Sequence, residues 1–244
     1  VALFPHIFGY ASCLSVFIRV LGPLPLLAQI LNVLLTLWSG TALFLLGLRW
    51  RSLEVGAAAY LLWLLCPSQT IYNSLVLSEP LYTALLLSFC LVLSEGDARE
   101  PWRGRPLLWG GAAGCACGLL LRMVQIVRPI AAVLLIALLL WLFLLTPRRL
   151  FEGQARRFWL SVLAVTAAVY GATGPLWTGY MTHRLGEEPA GTPGYSILVG
   201  FNQSSGGRWN AGDSELLYAY SDRPGATAED AQRELLETAV TRIA

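Results

Sequence analysis

Apolar residues in this chain come in runs longer than the core of a globular domain uses. From 24 to 48 the sequence is almost continuously apolar, broken only by isolated small polar residues such as Asn32, Thr36 and Ser39, and it ends at Arg49-Trp50-Arg51. Crossing about 30 Å of hydrocarbon takes roughly 20 helical residues. About six stretches are read as spans: 24–48, 53–66, 79–94, 106–124, 129–145 and 158–177. The second is short and is stopped or kinked by Pro67, with an irregular continuation through Tyr72. The third starts at Glu79-Pro80, where proline suits a first helical turn.

Arginine placement gives an independent reading of sidedness, because short cytoplasmic loops collect it. Arg49 and Arg51, then Arg99, Arg103 and Arg105, then Arg148, Arg149, Arg156 and Arg157 fall in every second connection, and the intervening short ones hold only Arg128. The pattern predicts an all-α polytopic transmembrane bundle of about six spans with a C-terminal extracytoplasmic segment. The chain divides into three parts: an interfacial amphipathic segment over 1–23, the bundle over 24–177, and the extracytoplasmic segment over 178–244. The outer face then carries 1–23, 68–78, 125–128 and the tail. In that tail, 191–212 is rich in Gly, Asn, Ser and Trp, and Thr227-Ala-Glu-Asp230 caps an amphipathic helix. Gly110, Gly111, Gly114 and Gly118 predict a helix that packs closely on a neighbour. With no Met and no basic leader at Val1, and with Ala244 inside a helical pattern, the chain reads as a piece of a longer protein.

Composition narrows the function classes. Charged residues make up 13% of the chain, against about 25% in soluble domains. All seventeen cations are arginine and are scattered, so no basic patch for nucleic acid is formed. The five cysteines are odd in number and lack C-x-x-C spacing; they read as small core residues, with Cys115-Ala-Cys117 as helix packing. Two histidines are too few for a zinc cluster, and no metal ligand is assigned. A divalent ion on carboxylates stays an open alternative.

An ionisable residue in or beside a span costs roughly 2.5 to 3.5 kcal/mol at mid-bilayer and is a functional candidate by default. Two places stand out: Glu79, within Tyr72-Asn73-Ser74-Leu75-Val76-Leu77-Ser78-Glu79-Pro80-Leu81-Tyr82, and Arg128-Pro129, with Arg122 upstream. Each has a plainer reading. Glu79 suits a helix N-terminus, and Arg128 suits a snorkelling residue ending a span. The sidedness, however, puts both at one face, where a carboxylate and a guanidinium can serve one site.

The order apolar span, Pro67-Ser68, Tyr72-Asn73-Ser74, Ser78-Glu79-Pro80-Leu81, apolar span, arginine-rich loop, glycine-rich span, Val127-Arg128-Pro129 and apolar span resembles the membrane core of GT-C fold glycosyltransferases. Within these it is most similar to the glycosyltransferase family 39 group, which includes protein O-mannosyltransferases and the aminoarabinose transferase of lipid A. Phe4-Pro5-His6-Ile7-Phe8-Gly9-Tyr10 resembles that group's Tyr-Pro-x-Gly-Tyr stretch. Val199-Gly200-Phe201-Asn202-Gln203-Ser204-Ser205-Gly206-Gly207-Arg208-Trp209-Asn210 and Asp213 resemble an outer-loop segment of its bacterial members.

The resemblance implies an enzyme, a multi-pass protein of a bacterial plasma membrane that moves a sugar from a polyprenyl-phosphate donor to a lipid, glycan or protein acceptor at the outer face. The family's principal catalytic aspartate lies in a loop upstream of residue 1, so the chain alone is expected to be inactive. Arg128, or failing it Arg122, then holds the leaving phosphate by paired hydrogen bonds. Glu79 helps to position the site, and Tyr72, Asn73 and Tyr82 line it. Asn202, Gln203, Trp209 and Asp213 are the mix that sugar and acceptor pockets use, with a glycine-rich turn around a buried tryptophan as the alternative. Asn202-Gln203-Ser204 also fits an N-glycosylation acceptor. Two other readings remain: a transporter or flippase of lipid-linked substrates, and a non-catalytic membrane assembly subunit.

Overall fold

The computed structural model describes residues 2–24, 26–98, 104–151 and 153–243; Arg99 and Arg103 lie outside them, as do Val1 and Ala244. The described residues are helical, with no strand among them. The chain folds as α1 (Pro5–Leu21), α2 (Leu26–Trp50), α3 (Leu53–Leu64), α4 (Pro67–Ser74), α5 (Glu79–Ala98) and α6 (Pro106–Val127), followed by α7 (Ala131–Leu140). A π-helical turn, Trp141–Leu145, extends α7. Then come α8 (Arg148–Phe151), α9 (Gly153–Leu185), α10 (Gly194–Gly200), α11 (Ala211–Ser221) and α12 (Ala228–Ile243). Two compact units result: Phe8–Gly174, and Val1–Ile7 with Pro175–Ala244.

Three helices, α2, α6 and α9, are long and apolar enough to cross a membrane. The second expected span is divided. α3 ends at Leu64 and α4 starts at Pro67, because proline lacks the N–H that would continue one helix but fits the first turn of the next. The 12 residues of α3 rise only about 18 Å. The expected span 158–177 lies inside α9, whose 33 residues rise about 50 Å, well beyond the hydrocarbon. The expected start of the fifth span moves from Pro129 to Ala131, and its last turn widens into the π form.

The core of the 8–174 unit gathers Phe89, Leu121, Val124, Leu138, Leu142, Phe158, Trp159 and Val162. Trp159 meets Phe158 and Trp141 edge to face, at 5.0 and 5.1 Å between ring centroids, the arrangement ring quadrupoles favour. α6 lays its glycine face on α9: an added Cβ would stand 2.6 Å from the Phe158 carbonyl oxygen at Gly110 and 2.7 Å from that of Val162 at Gly114. Outward faces carry Leu34, Leu62, Leu65, Val133, Leu144 and Leu145, all exposed. Large apolar side chains in that position suit a hydrocarbon solvent.

α2 hides a polar stripe of Asn32, Thr36 and Ser39. Asn32 Nδ2 donates to the carbonyls of Tyr72 and Leu75, at 3.2 and 2.7 Å, and Thr36 Oγ1 donates to Asn73 Oδ1 at 2.7 Å. Backbone that leaves a helix within a span needs such partners. The stripe therefore fixes the break between α4 and α5, from which Glu79 projects.

In the other unit, Leu198, Leu217, Leu235 and Ala239 form a small core. The start of the chain joins it: Ala190 N–H donates to the Ala2 carbonyl at 2.9 Å, and Gln232 Nε2 to that of Leu3 at 3.0 Å. Gly194 lies so close to the Gln232 carbonyl that no Cβ would fit. Thr227 and Asp230 close a reciprocal cap on α12, each side chain accepting from the other's backbone N–H at 3.1 Å.

Candidate functional site

Glu79 is the first residue of α5, where the positive end of the helix dipole favours a carboxylate. Arg128 ends α6 in extended conformation, φ −147° and ψ 131°, while its N–H still bonds the Val124 carbonyl at 2.7 Å. Pro129 imposes that conformation on it. The structure brings these two residues together: Arg128 Nη2 donates to Glu79 Oε1 in an ion pair whose side chains are 39% and 30% exposed. Tyr82, nearly one turn along α5 from Glu79, lies under the guanidinium, its ring centre 5.7 Å from Cζ. The pair is half-buried and reachable.

The second carboxylate oxygen differs from the first. Glu79 Oε2 is buried with no hydrogen-bond partner among the described residues, and so is the Tyr10 hydroxyl. Glu79 and Tyr10 are close enough to interact electrostatically. α1 can bring Tyr10 here because Gly9 touches Ile126 of α6, where a Cβ would collide with the Ile126 carbonyl. Buried polar groups are normally satisfied, so an orphaned carboxylate oxygen near an orphaned phenol is a place for a hydroxyl-bearing ligand. Sequence reasoning missed Tyr10; its available signal was the close helix approach required at Gly9.

The remaining candidates divide. Arg122 is engaged on α9: Nε donates to Thr173 Oγ1 at 3.2 Å, Nη2 donates to the Tyr170 carbonyl, and the guanidinium stacks 4.2 Å over the Tyr170 ring. Gly174 leaves it room. Arg122 thus joins α6 to α9, whereas Arg128 carries the ion pair with Glu79. Asn73, through its side chain, and Tyr72, through its carbonyl, are the α2 contacts that hold α4.

Asn202, Gln203, Trp209 and Asp213 belong to the other unit. Asp213, 1% exposed, is fully engaged: Arg242 Nη2 donates to Oδ1 at 2.7 Å, and Asn202 and Asn210 donate to Oδ2 at 2.9 and 2.6 Å. Burial pushes this carboxyl upward, but those three hydrogen bonds and the Arg242 charge outweigh it and hold Asp213 below the usual range. Asn202 Oδ1 accepts from the Ser204 and Ser205 N–H groups, so its amide organises the turn. Gly206 and Gly207 complete that turn at φ 62° and 73°. The buried tryptophan is corrected: Trp209 is 71% exposed, because the left-handed glycines end the turn before Trp209 reaches the core.

Among the described residues no group of three or more His, Cys, Asp or Glu is placed to hold a metal ion. Compared with known proteins, the chain matches no family model, no curated protein and no solved structure.

Proposed function

We propose that this chain is part of a multi-pass membrane glycosyltransferase that moves a sugar from a polyprenyl-phosphate donor to a hydroxyl acceptor at the outer face. The observation that carries the reading is the Glu79–Arg128 pair with its unsatisfied Glu79 oxygen. Three membrane-length helices and the shorter apolar ones supply the bundle of about six spans, with the ion pair where α5 begins and α6 ends. The lipid tail of a donor stays in the bilayer and its phosphate reaches the interface, so chemistry belongs where helices end.

Transfer forms a bond from the acceptor oxygen to the anomeric carbon and breaks the bond to the phosphate, which leaves as polyprenyl phosphate. Arg128 neutralises the charge growing on that phosphate through charge-assisted hydrogen bonds. As it turns toward the phosphate, Glu79 is freed to accept hydrogen bonds from sugar hydroxyls, with Tyr10 and Tyr82 beside it. The acceptor proton goes to a carboxylate, which the family resemblance places upstream of residue 1. Trp209, exposed on the glycine turn, offers a ring face to a sugar, and Gln203 an amide; Asn202 and Asp213 shape that turn.

The test is release of lipid phosphate from polyprenyl-phosphate sugars by the full-length protein in proteoliposomes. Glu79→Gln and Arg128→Ala are expected to abolish transfer while membrane insertion persists. Parental rates in both variants would remove the assignment.

A further inference from the structure

The ion pair closes one end of a cleft whose other end does something different. α5 and α7 both start near the Glu79–Arg128 pair, and their later halves separate around a cavity of about 260 Å³ lined by Phe89, Cys90, Leu93 and Ser94 of α5 and by Leu134, Ala137, Leu138 and Trp141 on the α7 side, with Trp50 from the end of α2. The cavity starts ten residues along α5 from Glu79, about 15 Å by helical rise. It is therefore a separate place from the polar site. Its lining is apolar except for the Ser94 hydroxyl, so water gains few hydrogen bonds there and apolar voids of this kind stay dry.

Three features indicate what fills it. First, the π-helical turn starts at the lining residue Trp141, and the Thr146 N–H bonds the Trp141 carbonyl at 2.9 Å. Such widened turns occur mostly at functional places. Second, two tryptophans, Trp50 and Trp141, stand among the lining residues, a side chain suited to the membrane–water boundary. Third, the rim is cationic: Arg49 Nη1 donates to Ser94 Oγ at 2.9 Å and to the Leu91 carbonyl at 3.2 Å, and Arg51 follows Trp50. An apolar slot between helices that are themselves surrounded by hydrocarbon, with guanidinium groups beside its mouth, matches one molecule: an alkyl chain topped by an anionic headgroup.

We propose that the cleft between the later halves of α5 and α7 holds one acyl chain of an anionic phospholipid, its phosphate facing Arg49 and Arg51. The inference rests on a membrane location and not on sugar transfer. Arginine near an anionic surface attracts it at short range, and the cleft selects the chain by shape.

The experiment uses the full-length protein in nanodiscs carrying phosphatidylglycerol or phosphatidylcholine with a diazirine in the acyl chain, irradiated and mapped by peptide mass spectrometry. Adducts are expected to concentrate on 89–94 and 134–141, with phosphatidylglycerol favoured by roughly fivefold, the scale of one arginine facing an anionic headgroup. Ala137→Trp, at an exposed position on the lining, is expected to fill the slot and remove those adducts while leaving adducts elsewhere. Adducts spread evenly over all outward faces, equal labelling by both lipids, or crosslinks from Cys90 to a second polypeptide overturn the lipid assignment alone. Recovery of the protein in the soluble fraction after alkaline washing of membranes overturns it together with the membrane reading.

Discussion

Arg128 pairs with one oxygen of Glu79 and leaves the other, Oε2, buried without a partner among the described residues. A carboxylate that served only to cap α5 or to anchor Arg128 would gain by satisfying both oxygens. The asymmetry gives the pair its functional interest. Glu79→Gln keeps the size and the hydrogen-bonding reach but removes the charge, so transfer should fall by about 100-fold or more. Thermal stability should change little, because a half-exposed ion pair contributes only about 1 kcal/mol. Sugar-transfer rates and unfolding in detergent, measured on one preparation, separate the two effects.

Tyr10→Phe should split activity from stability in a different way. Removing a buried hydroxyl that has no partner is neutral or slightly stabilising, so the melting temperature should hold or rise. Transfer should drop by about tenfold if that hydroxyl meets substrate. An unchanged rate would confine Tyr10 to packing.

The glycine face of α6 is a strict packing requirement. Gly114→Val drives a side chain against the Val162 carbonyl and Val165, and overpacking of this kind costs about 1 to 3 kcal/mol. Gly171→Ala is the control, since nothing lies within 4 Å of the added Cβ; it should stabilise α9 by about 0.5 to 1 kcal/mol. Denaturation in mixed micelles would read both, and equal effects would mean that the α6–α9 contact is not formed.

Acid should loosen the other unit at one identifiable latch. Glu229 accepts from Thr192 Oγ1 at 2.5 Å, from the Gly191 N–H at 2.7 Å and from the Thr192 N–H at 3.2 Å. These bonds, the Thr192 hydroxyl first, outweigh partial desolvation and pull its pKa from 4.5 down to about 2. A carboxyl held below its unfolded value contributes fully above that value and loses its contribution as pH falls toward the folded one. Hydrogen-exchange protection at Gly191 and Thr192 should therefore decline between about pH 4.5 and 2. Glu229→Gln should lack that decline.

Arg242→Met should destabilise the same unit by up to about 3 kcal/mol, since Asp213 is left as a buried charge without its cation. Limited proteolysis across 200–215 would show it.

What could be read from the sequence depended on distance along the chain. Long apolar runs announced α2, α6 and α9, because hydrocarbon thickness imposes a length that a sequence displays directly. Glu79 and Arg128 stood out because charges beside spans are costly. The division between α3 and α4 was only half legible: Pro67 marks the break, but Asn32, which holds the backbone beyond α4, lies 40 residues before Tyr72. Arg122 and Arg128 look equivalent in sequence, and only the position of Tyr170 and Thr173 on α9 separates their roles. Trp209 escapes its plainer reading as a buried ring because composition does not reveal which way a glycine turn points its neighbours.

The π-helical turn at Trp141–Leu145 has a consequence for how α7 tolerates changes in length. Such a turn carries one residue more than an α-helical turn, so deleting one residue there relaxes the local backbone to ordinary helix and keeps the register of everything before it. A deletion elsewhere in α7 would rotate every later side chain by about 100°. Variation in chain length among related proteins, were it to occur along this helix, has one place where it costs least.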